Sequence, residues 1–497
     1  MDKYDADVII VGAGPTGLML AGELGLHGIS VLVLDRLAEP IKESRALGFS
    51  ARTIEEFDQR GLLTRLGPVD TIPVGHFGGI PLDYRVIEGG SYGARGIPQA
   101  RTEGMLAGRA AETGARIRRS VEVTGLEQDD DGVTVRVSGA DGAGELRARY
   151  AVGCDGARSV VRRAAGIAFP GTEPTIELRF ADIAGVQLRP RFSGERVPGG
   201  MVMVLPLGPD RCRIVYYDRG EPLRTNPDPL TFDEVAEAYR KLSGEDISGA
   251  TPLWVGSTTD VSRQAAEYRR GRVLVAGDAA HIHLPIGAQG MSAGVQDAVN
   301  LGWKLGLVVR GLAPDALLDT YHDERHPVGA RILANTLAQR TLYLGGDEVA
   351  PLVEVFAELM RHESVQRRLA GMVTGLDIRH AAGPAADAHP LVGRRLPDGE
   401  LTTRDGRRTT VYELLHPGRG VLLDGTGDAA PAAAAKPWSD RVDTVDTVDS
   451  AAAEPGGALP EAGALLLRPD GYVAWVASGT DQSPLAEALE RWFGPAG

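Results

Sequence analysis

The sequence contains only two cysteines, Cys154 and Cys212, among its 497 residues. Two thiols are too few for a disulfide framework or a cysteine metal site, so we predict a protein of the reducing cytoplasm. Long apolar runs are missing as well. No stretch approaches the roughly 20 residues that a membrane-spanning helix needs, and the first apolar run, Val8–Val11, is shorter than the core of a signal peptide.

Positive charge is also scarce. Lysine and arginine together number 53 against 67 aspartate and glutamate residues, which gives a formal net charge of −14. An acidic surface repels phosphate backbones and anionic lipid head groups, so nucleic acids and membranes are poor candidate partners. The rest of the composition, with 43% hydrophobic and 24% charged residues, is that of a globular protein. The length predicts about three domains, or one large α/β unit with attachments.

The apolar pattern divides the chain into three predicted domains. Residues 5–37 read as strand, tight turn, helix and strand, which predicts a βαβ unit. Strands dominate from about 175 to 265, and the chain then returns to a buried strand at 272–276 and to long helices. The first predicted domain comprises residues 1–175 and 266–380, and the second comprises residues 176–265, which parts of 70–105 can join. A linker at 381–388 leads to the third, residues 389–497.

The last predicted domain contains two segments of low complexity. They are the Ala-rich stretch 429–435 and the Asp-Thr-Val repeat at 443–449, and both predict surface loop. Around them, alternating apolar segments predict several short strands, and residues 484–492 predict a final helix.

A nucleotide-binding pattern follows the first strand directly. Gly12-Ala13-Gly14-Pro15-Thr16-Gly17 fits G-x-G-x-x-G, in which the glycines allow a tight turn, a close approach to a pyrophosphate and close helix–strand packing. Asp35, at the end of the second strand, can accept a hydrogen bond from a ribose hydroxyl. Arg36 could instead meet a 2′-phosphate, so this pattern alone leaves FAD and NAD both open.

Two later segments bear on the choice between FAD and NAD. Residues 151–159 form an apolar strand that ends in Asp155-Gly156, which by itself is only a turn signal. The segment Gly277-Asp278-Ala279-Ala280-His281 follows the buried strand and leads into Leu284-Pro285-Ile286-Gly287-Ala288-Gln289-Gly290-Met291. In this order the three segments resemble the FAD-dependent aromatic hydroxylases of the p-hydroxybenzoate hydroxylase class. The segments 44–49, 76–79 and 271–305 are most similar to the angucycline-type aromatic polyketide hydroxylases.

The resemblance covers essentially the whole chain and implies an α/β fold with three parts. These are a Rossmann-like FAD-binding domain, a sheet-based substrate domain and a C-terminal thioredoxin-like domain. No cysteine follows Cys212, so dithiol chemistry is excluded in the last of them. The resemblance also implies the cofactor-binding residues Gly12, Gly14, Thr16, Gly17, Asp35, Arg36, Arg45, Gln99, Asp155, Asp278, Pro285, Gly290 and Met291.

Residues 292–301 read as the first turns of a helix, with Ser292 as its capping-type residue. A helix N-terminus beside the flavin N1 would stabilise the reduced anion by about 0.3 to 2 kcal/mol, at most a factor of about 30 in rate. Many members of the family carry asparagine at the position of Ser292. Serine has no amide group to offer the flavin ring, so we expect no contact between this side chain and the flavin.

Other residues carry competing interpretations. His281 and His283 suggest a metal ligand pair, but no further ligand has suitable spacing, and we predict no metal site. Cys154 is better explained as a buried thiol at a strand end than as a nucleophile. Two strand faces, one with Met201, Met203 and Leu205 and the other with Cys212, Ile214 and Tyr216, could each be core or line a cavity. The resemblance implies a substrate pocket, for which the candidates are Phe77, Met203, Ile214, Tyr216 and Pro285.

The function that the resemblance implies is hydroxylation of a polycyclic aromatic polyketide through a flavin C4a-hydroperoxide, with NADPH and O2 as co-substrates. Only one G-x-G-x-x-G is present, so we predict no separate nicotinamide domain, and the preference for NADPH over NADH rests on the family alone. The sequence identifies no catalytic base. Baeyer–Villiger oxygenation of a polyketide ketone and a non-catalytic FAD-binding protein stay open as alternatives, as does association into a homo-oligomer.

Overall fold

The computed structural model describes residues 3–41, 46–67, 71–87, 89, 93–140, 142–224, 229–380, 389–451, 463–477 and 483–497. Its strands, numbered along the chain, are β1 (Ala6–Val11), β2 (Val31–Leu34), β3 (Thr71–Ile72), β4 (Val74–Phe77), β5 (Ile80–Asp83), β6 (Ala94–Arg95), β7 (Arg116–Arg118), β8 (Val121–Gln128), β9 (Val133–Gly139), β10 (Gly142–Gly153), β11 (Gly171–Thr172), β12 (Glu177–Ala184), β13 (Arg191–Val197), β14 (Gly200–Gly208), β15 (Arg211–Asp218), β16 (Thr251–Thr259), β17 (Ser262–Gln264), β18 (Arg269–Arg270), β19 (Val273–Val275), β20 (His281–Ile282), β21 (Glu400–Thr403), β22 (Arg408–Thr410), β23 (Gly420–Asp424), β24 (Val442–Ala451), β25 (Ala464–Leu467) and β26 (Val473–Val476). Its α-helices are α1 (Pro15–Leu26), α2 (Ala51–Asp58), α3 (Gln99–Glu112), α4 (Val160–Ala164), α5 (Phe232–Ser243), α6 (Gln289–Val309), α7 (Asp319–Leu344), α8 (Ala350–Leu359), α9 (Glu363–Thr374), α10 (Val411–Leu415), α11 (Ala430–Ala435) and α12 (Ser483–Phe493). Within these described ranges, no helix is both long and apolar enough to cross a membrane.

The largest sheet has eight strands and a parallel centre. Six of them follow the order β18-β19-β10-β1-β2-β7, in which β1 pairs in parallel with both β10 and β2. The other two extend from β10, with β9 pairing to β10 and β8 to β9. Such strands are buried on both faces, which explains the continuous apolar runs Val8–Val11 and Val31–Leu34. Helices α1 and α6 pack together over one face. Both sequence segments assigned to the first domain supply strands, and the Rossmann-like architecture is confirmed; the residue limits of the domains stay predictions.

An antiparallel sheet of five strands forms the second unit, in the order β13-β14-β15-β12-β16. Helix α5 covers one of its faces, where Tyr239 is fully buried with Val204 and Ile214. The opposite face carries Met201 and Tyr217 and packs against the loop that precedes α6. The sheet therefore stands between a helix on one side and the candidate cofactor loop on the other.

The ends of α5 are specified by local sequence. The Thr231 hydroxyl accepts a hydrogen bond from the Glu234 N–H, and the Glu234 carboxylate accepts one from the Thr231 N–H, so the two form a capping box. Gly244 ends the helix at φ 76°, a left-handed conformation that favours glycine.

The third unit is a six-stranded sheet in the order β22-β21-β24-β23-β25-β26. Strands β23 and β24 are parallel, whereas β25 runs antiparallel to β23 and β26 antiparallel to β25. Helix α12 packs over the sheet through Trp492 and Phe493, against Trp303 of α6. The prediction of a further α/β unit at the C-terminal end of the fold is confirmed.

The prediction that both low-complexity segments are surface loops is wrong. Residues 443–449 lie in β24, which pairs with β23 on one side and β21 on the other, and residues 430–435 form α11. The repeat has a period of three, which hides the period of two that marks a strand, yet two of its three residue types are β-branched and suit a sheet. Pairing on both sides then decides the conformation.

A short hairpin, β4–β5, belongs to the Gly- and Pro-rich region near residues 70–105. Its turn, Gly78-Gly79, packs against Leu342 and Tyr343 of α7. Phe77 stacks on Phe356 of α8, with ring centroids 5.5 Å apart. The hairpin is thereby fixed to the long helices that follow α6.

Buried ion pairs join the third unit to the first. The Arg468 guanidinium donates to Glu324 Oε2 at 2.9 Å, and Lys304 Nζ of α6 donates to the same oxygen at 2.8 Å. Arg468 also pairs with Asp470. All four side chains are at most 3% exposed. Because breaking a buried pair leaves an uncompensated charge, the C-terminal unit is a fixed part of the frame that holds α6.

Candidate functional site

The glycine loop between β1 and α1 has two glycines that the protein's own packing requires. A Cβ atom at Gly12, where φ is 106°, would lie 2.3 Å from the Cys154 carbonyl oxygen, and one at Gly17 would lie 2.0 Å from the Gly12 oxygen. At Gly14 a Cβ atom would meet no atom within 4 Å. Internal packing therefore does not explain Gly14, whereas close approach of a pyrophosphate to the backbone does. The loop fits a dinucleotide.

Asp35 lies directly after β2, beside this loop. Its Oδ2 accepts a hydrogen bond from the Ala13 N–H at 2.7 Å, and its Oδ1 accepts one from the Leu37 N–H at 2.8 Å. Each carboxylate oxygen has a second lone pair, so Asp35 can still accept a bond from a ribose hydroxyl. Arg36 is exposed next to it.

Three segments of the candidate site meet at Thr16. The Thr16 hydroxyl occupies the space beside two glycines: a Cβ atom would lie 2.6 Å from it at Gly277 and 2.4 Å from it at Gly294. Helix α1, the loop after β19 and helix α6 therefore approach one another closely. Asp278 follows Gly277 and is exposed, so a ligand beside these segments can reach it.

Helix α6 begins at Gln289, and Gly290 and Met291 are its next residues. The N–H groups of a helix's first turn have no partner within the helix and carry partial positive charge. This end of α6 can therefore stabilise an anion such as a reduced flavin. Pro285 lies exposed on the loop immediately before it.

Ser292 has a different role from the predicted one. Since α6 begins three residues earlier, Ser292 does not cap it, and that prediction is wrong. The Ser292 Oγ accepts a hydrogen bond from the Ser50 N–H at 3.0 Å, and the Thr53 hydroxyl donates to the Ser292 carbonyl at 3.2 Å. The residue thus ties α6 to the start of α2.

Asp155 binds the first turn of the short helix α4, whose N-cap residue is Ser159. Its Oδ2 accepts hydrogen bonds from the N–H groups of Val160 and Val161 at 2.6 and 3.2 Å, and its buried Oδ1 has no partner among the described residues. Burial raises the pKa of this carboxyl. Burial likewise raises the pKa of the neighbouring Cys154 thiol well above its usual range, which disfavours a nucleophilic role.

Gln99 is the first residue of α3, and its side-chain amide hydrogen-bonds to two other residues. Its Oε1 accepts a hydrogen bond from the Ala46 N–H at 3.4 Å, and its Nε2 donates to Glu103 at 2.7 Å. Gln99 therefore lies beside the segment that carries Arg45. Arg45 itself lies outside the described residues.

His281 and His283 differ sharply in their surroundings. The His283 Nδ1 lies 2.9 Å from the Leu284 carbonyl oxygen and so carries the proton, and burial lowers the pKa of His283 to about 4. Its Nε2 is buried, has no hydrogen-bond partner among the described residues, and lies 3.5 Å from where a Cβ atom at Gly290 would stand, which is an ordinary contact distance. Across the ranges that the structure describes, no group of three or more metal-binding side chains comes together.

Sequence reasoning missed Asp297 and Arg325, which are both buried. The Asp297 carboxylate accepts hydrogen bonds from the Gly277 N–H at 3.1 Å and from the Arg325 Nε at 2.7 Å. A charged residue within the apolar run of α6 was the one available signal, because such a group needs a partner when it is buried.

The substrate-pocket candidates do not lie together. Met203 shares its face of the sheet with Val215, its cross-strand partner, and this face meets Leu284 and Ile286. Ile214 and Tyr216 point to the other face and pack under α5. The alternation of β15 separates them from Met203, since neighbouring residues in a strand face opposite sides.

Two residues that sequence reasoning missed, Val215 and Tyr217, take the place of Ile214 and Tyr216 beside the loop. The pairing of β14 with β15 decides this, and no sequence signal reveals that register. Phe77 is buried among residues of α7, α8 and α9, with 4% of its surface exposed. Strand β4, which ends at Phe77, nevertheless lies close to residues 286–288 of the loop before α6.

Residues 5–336 match the family model described as FAD binding domain, and residues 389–496 match the aromatic-ring hydroxylase C-terminal model. The chain belongs to the FAD-dependent aromatic-ring hydroxylases. It is 45% identical over 510 residues to the 12-dehydrotetracycline 5-monooxygenase/anhydrotetracycline 6-monooxygenase of Streptomyces rimosus, with 98% of this chain and 99% of that protein covered.

Solved structures agree with this assignment. AlpK is 68% identical, with a TM-score of 0.90 and complete coverage of both chains. CabE, described as an aromatic hydroxylase from angucycline biosynthesis, is 54% identical with a TM-score of 0.94, covering 99% of this chain and all of that one. The family resemblance is confirmed, and this hydroxylase is an FAD-dependent monooxygenase.

Proposed function

We propose that this hydroxylase adds one oxygen atom to the ring of a polycyclic aromatic polyketide. The reaction consumes NADPH and O2: ArH + O2 + NADPH + H⁺ gives ArOH + H2O + NADP⁺. The observation that carries the proposal is the meeting of the glycine loop, the Asp278 loop and the N-terminus of α6 beside an apolar sheet face. Its similarity to enzymes of tetracycline and angucycline biosynthesis supports this substrate class.

The residues present fit FAD. The open space at Gly14 and the N-terminus of α1 would receive the pyrophosphate, and Asp35 the adenosine ribose. Asp278 would bind the ribityl chain, while the N–H groups of Gly290 and Met291 would face the flavin ring. When bound, FAD accepts hydride from NADPH and activates O2. Further residues that we assign to the cofactor are Gly12, Thr16, Gly17, Arg36, Arg45, Gln99, Asp155 and Pro285.

The protein's own contribution at the substrate side is an apolar wall. Met203, Val215 and Tyr217 of the sheet face Leu284 and Ile286 of the loop before α6. An apolar chamber binds a flat aromatic ring system and excludes water, which would otherwise compete with the substrate for the activated oxygen. Pro285 lies between the two loop residues, and we assign it to the same wall.

Turnover by the FAD-loaded protein tests the proposal. A panel of polycyclic phenols is added with NADPH, and NADPH consumption, hydrogen peroxide release and products are measured together. We expect one member to accelerate NADPH consumption and to gain one oxygen atom that comes from isotopically labelled O2. Product NMR then separates ring hydroxylation from Baeyer–Villiger insertion, since both add one oxygen.

Two results would contradict the proposal. Insertion of oxygen beside a ketone would assign the Baeyer–Villiger reaction instead. A protein that holds FAD but never accelerates NADPH consumption with any aromatic substrate would be a binding protein. The cytoplasmic location and a homo-oligomeric state stay predictions, which fractionation and light scattering of the purified protein would check.

A further inference from the structure

Three buried side-chain amides form a continuous chain of hydrogen bonds between the hairpin β4–β5 and the loop before α6. The Gly78 N–H donates to Gln339 Oε1 at 3.2 Å, and Gln339 Nε2 donates to Asn335 Oδ1 at 3.0 Å. Asn335 Nδ2 donates to Gln289 Oε1 at 2.9 Å, and Gln289 Nε2 donates to the Ile286 carbonyl at 3.3 Å. The three side chains are 0%, 4% and 3% exposed for Gln339, Asn335 and Gln289.

The orientation of every amide in this chain is fixed by its ends. Gly78 can only donate through its N–H, and the Ile286 carbonyl can only accept. If one amide turned over, its nitrogen would face a donor or its oxygen would face an acceptor. The chain therefore has one arrangement, and its bonds strengthen one another through polarisation.

Both ends of the chain of amides lie on turns that contain a glycine with positive φ. Gly287 follows Ile286 in a left-handed conformation at φ 73°, and Pro285 before it is exposed. Gly78, at φ 58°, forms the turn of the hairpin. Burying three amides carries a cost unless each is satisfied, so an apolar core would fill this space more simply if filling were the sole requirement.

We propose that Gln289, Asn335 and Gln339 are positioning residues that hold the turn 285–287 in a fixed place relative to the hairpin turn 77–79. This rests on the proposed function, in which the turn 285–287 borders the flavin and the substrate chamber. The chain of amides thus sets where the turn 285–287 stands relative to the hairpin β4–β5. A break in the middle of the chain loosens both ends, although neither end loses its own amide partner.

Asn335→Leu makes that break. The FAD-loaded variant and the unmodified protein are compared by hydrogen–deuterium exchange at peptides that cover 77–79 and 285–288. We expect exchange about five- to tenfold faster at both peptides, as the loss of one net hydrogen bond predicts. We also expect a shifted visible absorbance spectrum of the bound flavin, a readout that a remote structural defect would leave unchanged.

Gln366→Leu is the matched control. The Gln366 Oε1 accepts a hydrogen bond from the Asp83 N–H at 3.3 Å in the same hairpin, but Gln366 belongs to α9 and lies outside the chain of amides. We expect this variant to leave exchange at 285–288 and the flavin spectrum unchanged. If Asn335→Leu does not fold, Gln339→Met carries the test at 285–288 alone, because it removes the acceptor of the Gly78 N–H directly but is two links away from Gln289's bond to Ile286.

Unchanged hydrogen–deuterium exchange at 285–288 in Asn335→Leu overturns the inference. An equal increase in exchange there in the Gln366→Leu control overturns it as well. A protein that takes up no FAD contradicts the proposed function instead, and the exchange comparison on that protein still decides whether the chain holds the turn. The two failures are therefore distinguishable.

Discussion

The His281 Nε2 lies 2.7 Å from the Asp297 Oδ2, and both side chains are buried. Asp297 belongs to α6, whereas His281 begins β20, directly after the loop that carries Asp278. Asp297 Oδ2 also accepts a hydrogen bond from the Gly277 N–H, and Asp297 Oδ1 accepts one from the Arg325 Nε. A single carboxylate therefore fixes the loop that we assign to the ribityl chain against the helix that we assign to the flavin ring.

Asp297→Asn should destabilise the protein and weaken FAD binding. The amide leaves Arg325 buried without a counter-charge, which typically lowers the free energy of unfolding by about 3–5 kcal/mol. Chemical denaturation and FAD titration would measure the two effects. Asp377→Asn is the control, because the Asp377–Arg331 pair is partly exposed, at 19% and 29%, and should cost less than about 1 kcal/mol. Equal losses would contradict the argument.

Gly14→Ala should weaken FAD binding, whereas Gly17→Ala should destabilise the protein itself. The added methyl meets nothing at Gly14 but lies 2.0 Å from a backbone oxygen at Gly17. We expect Gly14→Ala to keep the thermal stability of the apoprotein and to weaken FAD binding about tenfold or more, equivalent to ~1.4 kcal/mol. Gly17→Ala should lower the melting temperature of the apoprotein. Normal FAD affinity in Gly14→Ala would argue against a pyrophosphate at this loop.

Met203→Ala and Ile214→Ala distinguish the two faces of the second sheet. Ile214 is fully buried under α5, so its truncation should cost about 2–5 kcal/mol of stability without changing substrate preference. Met203 is only half-buried beside the loop, so its truncation should change the KM for the aromatic substrate and cost less stability. Denaturation and steady-state kinetics with the active panel member would check both. A changed KM in Ile214→Ala alone would reverse the assignment.

Glu56 should make the protein less stable as the pH rises. Burial raises the pKa of Glu56 to about 7, although Arg52 lies 3.6 Å away. The folded state then binds a proton that the unfolded state releases near pH 4.5, so this contribution is full at acidic pH and is lost as the pH rises towards 7. The loss amounts to roughly 3 kcal/mol.

Glu56→Gln removes this titration and keeps the shape of the side chain. Unfolding free energies measured from acidic to neutral pH should fall more steeply in the unmodified protein than in the variant. Parallel curves for the two proteins would show that Glu56 titrates normally.

Arg468→Met should loosen the junction between the C-terminal unit and α6. It leaves Glu324 and Asp470 buried with reduced compensation, for which we expect a loss of about 3–5 kcal/mol in the free energy of unfolding. Arg419→Met, in the same unit, removes the partly exposed pair with Asp443 and should cost less than about 1 kcal/mol. Denaturation monitored by tryptophan fluorescence suits both, since Trp303 and Trp492 lie at this junction. Comparable losses would mean that the buried network does not hold the units together.

The sequence by itself determined the local parts of this protein. Apolar runs predicted the parallel strands, because both faces of that sheet are buried. The glycine pattern predicted the turn at Gly12, since backbone geometry and close packing act within a few residues there. Family motifs then identified FAD and the order of the domains.

The tertiary structure alone decided which distant residues meet. The register between β14 and β15 placed Val215 and Tyr217, in place of Ile214 and Tyr216, beside the cofactor loop. Pairing on both sides made a strand of 443–449, whose repeat conceals strand alternation. The bond between Asp297 and His281, and the amide chain from Gly78 to Ile286, depend on packing between segments that no local pattern relates, because side chains far apart in sequence become neighbours only when whole elements pack together.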